Sequence, residues 1–225
     1  MNKTRILVLY YSMYGNTFQM AQAIAEGIKE VPEAETQLRQ VPDLLPEKVV
    51  SENEGVRKAK EMQKKIPVAT MDDLRNCDGL ILGAPTRFGN MCGQMRNFLD
   101  QTGSLWQEGA LVGKPAGLFT STATMHGGQE TTLISMSFTL LHHGMLIVGV
   151  PYTTPELIST KTGGTPYGPS HVAGMGLTPL SKEEKEICRA LGKRVAEITK
   201  KLKYGLTPSP SSSPHRGEEN QKNYG

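Results

Sequence analysis

Cysteine is scarce: Cys77, Cys92 and Cys188 are the only three in 225 residues. An odd number this widely spaced supports neither a disulfide framework nor a paired metal-ligand motif, and implies reduced thiols. Long hydrophobic runs are missing as well. Residues 6–11 and 80–82 are the best of them, far short of the ~18 apolar residues a membrane-spanning helix needs, which excludes membrane insertion. Residues 1–25 lack an extended apolar core ending at a small-residue cleavage site, so the expected address is cytoplasmic. Several catalytic signatures are absent: no phosphate-loop Gly-x4-Gly-Lys-Ser/Thr, no Gly-x-Ser-x-Gly elbow and no His-Glu-x-x-His zinc helix. Gly174-Met175-Gly176 begins like a dinucleotide fingerprint but continues with Leu177, Thr178 and Pro179. His142 and His143 are adjacent, so on a helix their side chains diverge by ~100° and do not share one metal ion unaided.

Net charge is small, at +3, and it is unevenly placed. Residues 182–203 carry eight positive and four negative side chains, leaving the remainder slightly acidic. Ile187, Leu191, Val195, Ile198 and Leu202 form one helical stripe in this segment, so its charges belong to a solvated outer face. The low aromatic content, 6%, gives such a face no stacking partners, and no nucleic-acid partner is expected.

Residues 5–11 (Arg-Ile-Leu-Val-Leu-Tyr-Tyr) are nearly continuously apolar, as expected of a strand buried on both sides. Met20, Ala21, Ile24, Ala25 and Ile28 then recur at helical spacing. Further strands are expected at 35–41, 78–84, 114–121 and 145–150, with helical stripes at Met95, Phe98 and Leu99 and at Leu133, Met136, Leu140 and Leu141. Ser181 and Glu184 form a capping box opening the last helix. The polar stretch 42–70 reads as a mobile connection. Strands alternating with helices require long right-handed crossovers, hence a doubly wound five-stranded parallel sheet with helices on both faces. This α/β domain spans residues 1–205. Residues 206–225, rich in Ser and Pro and without an aliphatic side chain beyond Leu206, read as a disordered tail.

Ligands of doubly wound sheets bind beyond the carboxyl ends of the strands, so three loops carry the functional signal. The first, Ser12-Met13-Tyr14-Gly15-Asn16-Thr17, reads either as a phosphate-cradling loop at a helix N-terminus or as an ordinary helix cap. The second, Pro85-Thr86-Arg87-Phe88-Gly89-Asn90-Met91, sets an aromatic, a cation and an amide in one turn, suited to a flat ring. The third, Ser121-Thr122-Ala123-Thr124-Met125-His126-Gly127-Gly128, is rich in hydroxyls and leads into a helix. Convergence of all three at one rim favours a ligand site over three unrelated turns.

A series of blocks resembles the WrbA-type NAD(P)H:quinone oxidoreductases, flavodoxin-like FMN enzymes. These blocks are the first two loops with Tyr10-Tyr11, Phe98-Leu99-Asp100-Gln101-Thr102-Gly103, Leu105-Trp106, Gly127-Gly128-Gln129-Glu130-Thr131, His142-His143-Gly144-Met145 and Gly163-Gly164-Thr165-Pro166-Tyr167-Gly168. The resemblance covers residues 5–202. It implies a flavodoxin-like sheet of strand order 2-1-3-4-5 and FMN as cofactor. Ser12, Met13, Tyr14, Gly15, Asn16 and Thr17 would hold the FMN phosphate, and Thr86, Arg87 and Phe88 would line the isoalloxazine. Ser121, Thr122, Ala123, Thr124, Met125 and His126 would form the remaining flavin loop. His142 would reach the flavin from a neighbouring subunit of a homotetramer, Tyr14 would also meet NAD(P)H, and Trp106 would flank the quinone. The implied activity is two-electron ping-pong hydride transfer from NAD(P)H through FMN to quinones, protective because it avoids semiquinone release, with the flavin itself carrying the hydride. A one-electron flavodoxin-type carrier and a non-catalytic oligomeric scaffold are the alternatives. The chain departs from the family pattern Ser-Thr-Gly-Thr at Ala123, and Met125-His126 add bulk. A positive φ at Ala123 would cost ~1 kcal/mol and weaken FMN binding.

Overall fold

The computed structural model describes residues 3–205; the expected tail, 206–225, lies outside them. Along the chain run β1 (Thr4–Tyr10), α1 (Asn16–Lys29), β2 (Ala34–Gln40), α2 (Glu47–Glu52), α3 (Glu54–Gln63), α4 (Met71–Asn76), β3 (Gly79–Arg87) and β4 (Asn90–Met91). They are followed by α5 (Gly93–Asp100), α6 (Gly103–Gln107), β5 (Pro115–Thr122), α7 (Gln129–His142), β6 (Leu146–Ile147), α8 (Glu156–Ser159), β7 (Ser170–Val172) and α9 (Lys182–Tyr204).

The parallel path β2-β1-β3-β5-β6 reproduces the expected order, with Leu7 beside both Gln37 and Leu80, and Leu82 beside Leu118. Two short strands add to it: β4 pairs antiparallel with β3, and β7 pairs parallel with β5. The fifth strand is where the expectation fails in detail. Instead of running through 145–150, it ladders only over Leu146–Ile147 opposite Pro115–Ala116, and the chain then leaves the sheet. It returns as β7, which pairs with Thr120–Thr122, so one edge position is shared by two short strands. The intervening segment carries Pro151, Pro155, Pro166 and Pro169. None has an N–H to donate to a ladder, which explains the excursion.

The strand alternation divides the core in two. Ile6, Val8, Tyr10, Ile81 and Phe119 face α1 and α9, whereas Leu7, Leu9, Leu80, Leu82 and Leu118 face α4, α5 and α7. A Cβ on Gly27 would lie 2.0 Å from the Arg189 carbonyl oxygen, and one on Gly192 would lie 2.1 Å from that of Ile24, so α1 and α9 touch backbone to backbone. Gly83 likewise makes room for the Phe119 ring, 2.1 Å from where its Cβ would stand.

The last helix begins at its expected box: Ser181 Oγ accepts from the Glu184 N–H at 3.1 Å and Glu184 Oε2 accepts from the Ser181 N–H at 2.9 Å. Ile187, Leu191 and Val195 are buried, but Leu202 is 56% exposed because the sheet ends before the helix does. The outward basic side chains meet carboxylates, as in Lys185–Glu26, Arg189–Glu30 and Lys203–Asp78. On α7, Leu133, Met136 and Leu140 are buried as expected, whereas Leu141 faces outward.

Residues 42–70 are more ordered than their polarity suggests. They form α2 and α3, with Asn53 capping α3 through the Val56 N–H and Val56, Ala59 and Gln63 buried. Gln63 Nε2 donates to Ser12 O at 3.1 Å, tying the segment to the first loop.

Candidate functional site

A cavity of about 830 Å³ opens beyond the carboxyl ends of β1, β3, β5 and β7. All three loops reach it: Ser12, Met13, Tyr14, Asn16 and Thr17 from the first, Thr86 and Arg87 from the second, Ser121, Thr122 and Ala123 from the third.

The first loop turns at Gly15, which caps α1 with φ +89°, a left-handed conformation that suits glycine. Ser12 Oγ accepts from the Phe18 N–H at 3.2 Å. Gly15 at the cap position brings no side chain, so the Asn16 and Thr17 N–H groups belong to the first turn, whose N–H groups have no partner within the helix. The loop's donors and the positive helix end suit a phosphate without requiring a lysine.

The second loop is joined to its neighbours on both sides. Arg87 donates to the Thr86 carbonyl at 2.8 Å and reaches Met13 Sδ at 3.5 Å. The Thr132 and Thr86 hydroxyls are hydrogen-bonded to each other at 2.8 Å. Gly89 and Gly128 meet so closely that a Cβ on Gly128 would lie 2.9 Å from Gly89 Cα. Phe88 is fully exposed at φ +54°, a strained conformation for a bulky side chain, and does not line the cavity.

In the third loop, Ala123 is not among the residues with positive φ. The expected penalty for replacing glycine there is absent. Met125 and His126 are exposed and stay outside the lining, so their bulk does not fill the cavity, and Thr124 likewise does not line it.

His142 and Trp106 are both exposed, and neither lines its own chain's cavity. His142 ends α7, whose N-terminus adjoins the site; at 1.5 Å per residue the helix separates them by about 20 Å. The next residue, His143, is buried instead and bonds through Nε2 to Thr102 Oγ1 at 2.8 Å. Because Thr102 Oγ1 donates to the Leu99 carbonyl, it accepts from the imidazole, and burial holds His143 below its ordinary pKa.

The structure adds lining that the sequence reading missed: Leu45, Asn53, Gly55 and Gln94, and the continuous segment Ala173, Gly174, Met175, Gly176 and Leu177. That segment follows β7, a strand too short to recognise from periodicity. Its Gly174-Met175-Gly176 signal was visible, but as a failed dinucleotide motif. Beneath the site, Tyr11 donates to Asp43 at 3.2 Å; burial first and then that carboxylate raise its phenol pKa. Cys92 is wholly buried, which pushes its thiol pKa up and makes it a packing residue.

The model of the NADPH-dependent FMN reductase family matches residues 4–155. A protein of Geobacter sulfurreducens called NAD(P)H dehydrogenase (quinone) is 51% identical over 200 residues, 88% of this chain and 98% of its own. A protein of the same name from Solidesulfovibrio magneticus is 47% identical over 201 residues, again 88% of this chain and 98% of its own. Among solved structures, a flavodoxin, WrbA-like protein from Agrobacterium tumefaciens superposes with a TM-score of 0.61 at 23% identity, covering 88% of this chain and 99% of that one. Flavodoxin 1 from Bacillus cereus superposes with a TM-score of 0.54 at 21% identity, covering 86% and 97%. The sheet is thus flavodoxin-like, and on the family match and the identity to these relatives the chain belongs to the NADPH-dependent FMN reductase family.

Proposed function

We propose that the protein is an FMN-dependent NAD(P)H:quinone oxidoreductase. The observation carrying this reading is one cavity that combines an anion-ready helix terminus with a wall of Thr86, Arg87, Ser121, Thr122 and Ala123. FMN, when bound, supplies two-electron hydride acceptance and donation. The chain supplies the rest. Ser12, Asn16 and Thr17 offer donors to the phosphate, and Arg87 sets a positive charge beside the ring position. Tyr14, 37% exposed at the rim, offers an aromatic surface to NAD(P)H and then to quinone in turn. No side chain is required to hold a reacting proton for hydride transfer to the ring.

A homotetramer completes this reading. Ile134, Phe138 and Leu141 form an exposed stripe along α7, beside exposed Leu146, Ile147 and Tyr167. A contiguous apolar surface of this kind is the mark of an interface. Two α7 helices packed antiparallel about a two-fold axis would carry one copy's His142 toward the other copy's α7 N-terminus, where its cavity lies. Exposed Phe88 and Trp106 would be covered in the same assembly. We place the enzyme in the cytoplasm; among the described residues no helix is long and apolar enough to cross a membrane.

The test is NAD(P)H oxidation with benzoquinone, with and without added FMN. An FMN-dependent rate is expected. Flavin binding with no NAD(P)H oxidation would replace the enzyme by a one-electron carrier, and absence of flavin binding would leave an oligomeric scaffold.

A further inference from the structure

Asn16 stands in the middle of the loop expected to hold the FMN phosphate, yet its carboxamide is already engaged. Nδ2 donates to the Gly176 carbonyl at 2.6 Å and Oδ1 accepts from the Thr178 N–H at 3.0 Å. These bonds join residues about 160 positions apart and occupy both ends of the side chain of a residue only 8% exposed. One turn along the same helix, Gln19 Nε2 donates to the Thr178 carbonyl at 3.1 Å. Gln19 does not line the cavity.

The segment held in this way bridges the site. At one end the Ala173 and Gly174 N–H groups donate to the Thr122 and Ala123 carbonyls at 2.8 and 3.1 Å. At the other, Leu177 lies over the first loop, its Cδ1 3.1 Å from where a Cβ on Gly15 would stand. Met175 at the crest is fully exposed, so apolar burial contributes little to holding the crest in place. The polar bonds from α1 do that instead, together with the Thr178 hydroxyl, which donates to the Ala173 carbonyl within the segment.

We propose that Asn16 is a positioning residue: its carboxamide latches the 173–178 segment onto α1, making that segment the fourth wall of the cofactor site, and Gln19 reinforces the latch from outside. This rests on the FMN reading above. It separates the two roles that a phosphate-loop asparagine could have, because a side chain bonded at both ends to protein backbone acts on the ligand through the wall it holds, while its own N–H remains available to the phosphate.

The full-length protein with Asn16→Ala, with Gln19→Ala and with both changes would be compared with wild type by FMN titration and by amide hydrogen exchange measured with and without FMN. Asn16→Ala is expected to raise the FMN Kd at least tenfold and Gln19→Ala about threefold, with the double variant no weaker than Asn16→Ala within a factor of two. In the flavin-free chains, exchange at the Thr178 and Gly174 amides is expected to speed up at least tenfold in Asn16→Ala and measurably in Gln19→Ala. Weakened FMN binding in Asn16→Ala with unchanged exchange over 174–178 would assign Asn16 a direct ligand contact and overturn the proposal. Wild-type affinity in both single variants would overturn it equally. Should Asn16→Ala fail to fold, Gln19→Ala carries both measurements. Failure of wild type to bind FMN would remove the cofactor reading, while the flavin-free exchange still decides whether the latch exists.

Discussion

Ala123 shows why a family departure has to be judged by backbone conformation. Glycine is irreplaceable where φ is positive or a Cβ has no room, and Ala123 meets neither condition: its φ is not positive and it sits at an open edge of the cavity. Ala123→Gly is therefore expected to leave the FMN Kd within about threefold of wild type, measured by quenching of flavin fluorescence. Gly15 is the contrasting case, with φ +89° and Leu177 overhead. Gly15→Ala is expected to weaken FMN binding by roughly fivefold or more, corresponding to ~1 kcal/mol of backbone strain at the phosphate end. The three cysteines behave as small apolar residues. All are buried, and desolvation raises the Cys77 thiol pKa to about 11. Native protein is accordingly expected to react with a thiol reagent at neutral pH far more slowly than urea-unfolded protein.

Among the elements, α1 has two tasks that constrain each other. Its N-terminus presents donors to the cavity, and its C-terminal half is pinned to α9 by mutual backbone approach at Gly27 and Gly192. A methyl at position 192 would meet the Ile24 carbonyl at 2.1 Å, closer than any real contact, so the helices would have to separate. Gly192→Ala is expected to lower unfolding free energy by about 2 kcal/mol or more, despite alanine's better helix propensity, read from the urea midpoint. Because α1 carries Asn16 as well, the same change should loosen the cofactor site. β7 works in the opposite direction: it is only three residues long, yet it launches the segment that forms the fourth wall. Beside its ladder, its return to the sheet is secured by Glu184, whose carboxylate accepts from the N–H groups of Gly163 and Val172 and bonds to His171 Nδ1 at 2.8 Å.

For the molecule as a whole, that buried carboxylate makes stability depend on acid. Burial by itself would raise the Glu184 pKa, but the His171 side chain and the Ser181 and Val172 N–H groups outweigh it and hold it at about 2. A carboxyl depressed in the folded state stabilises the fold above its unfolded pKa, and this contribution is lost as pH falls toward the folded value. Glu184→Gln is thus expected to be less stable than wild type by a few kcal/mol near neutrality, with the gap closing between about pH 4.5 and pH 2, followed by denaturant titration at several pH values. Assembly is the other property at this scale. Phe138 lies at the centre of the exposed α7 stripe and is 58% exposed in the single chain. Phe138→Glu is expected to convert the proposed tetramer to smaller species in sedimentation and to depress quinone reductase activity more than FMN affinity.

The layer order and most of the strands were legible because continuous apolar runs such as 5–11 and 78–84 have few alternatives to a doubly buried parallel strand. The three crevice loops were legible for a related reason: where a parallel strand ends at its carboxyl edge, Ser, Thr, Asn and Gly leave hydrogen-bonding groups free for a ligand. Periodicity has no purchase on two- or three-residue strands, and so it missed the splitting of the edge strand into β6 and β7 and the wall formed by residues 173–177. It misjudged 42–70 because that segment packs through few side chains, with Gln63 anchored by hydrogen bonds instead of apolar burial. Local chemistry thus marked the loops that line the cavity. Long-range contacts alone, Asn16 to Gly176 above all, decided which further residues close around it, since a side chain's bonding partner across 160 residues leaves no trace in its neighbours.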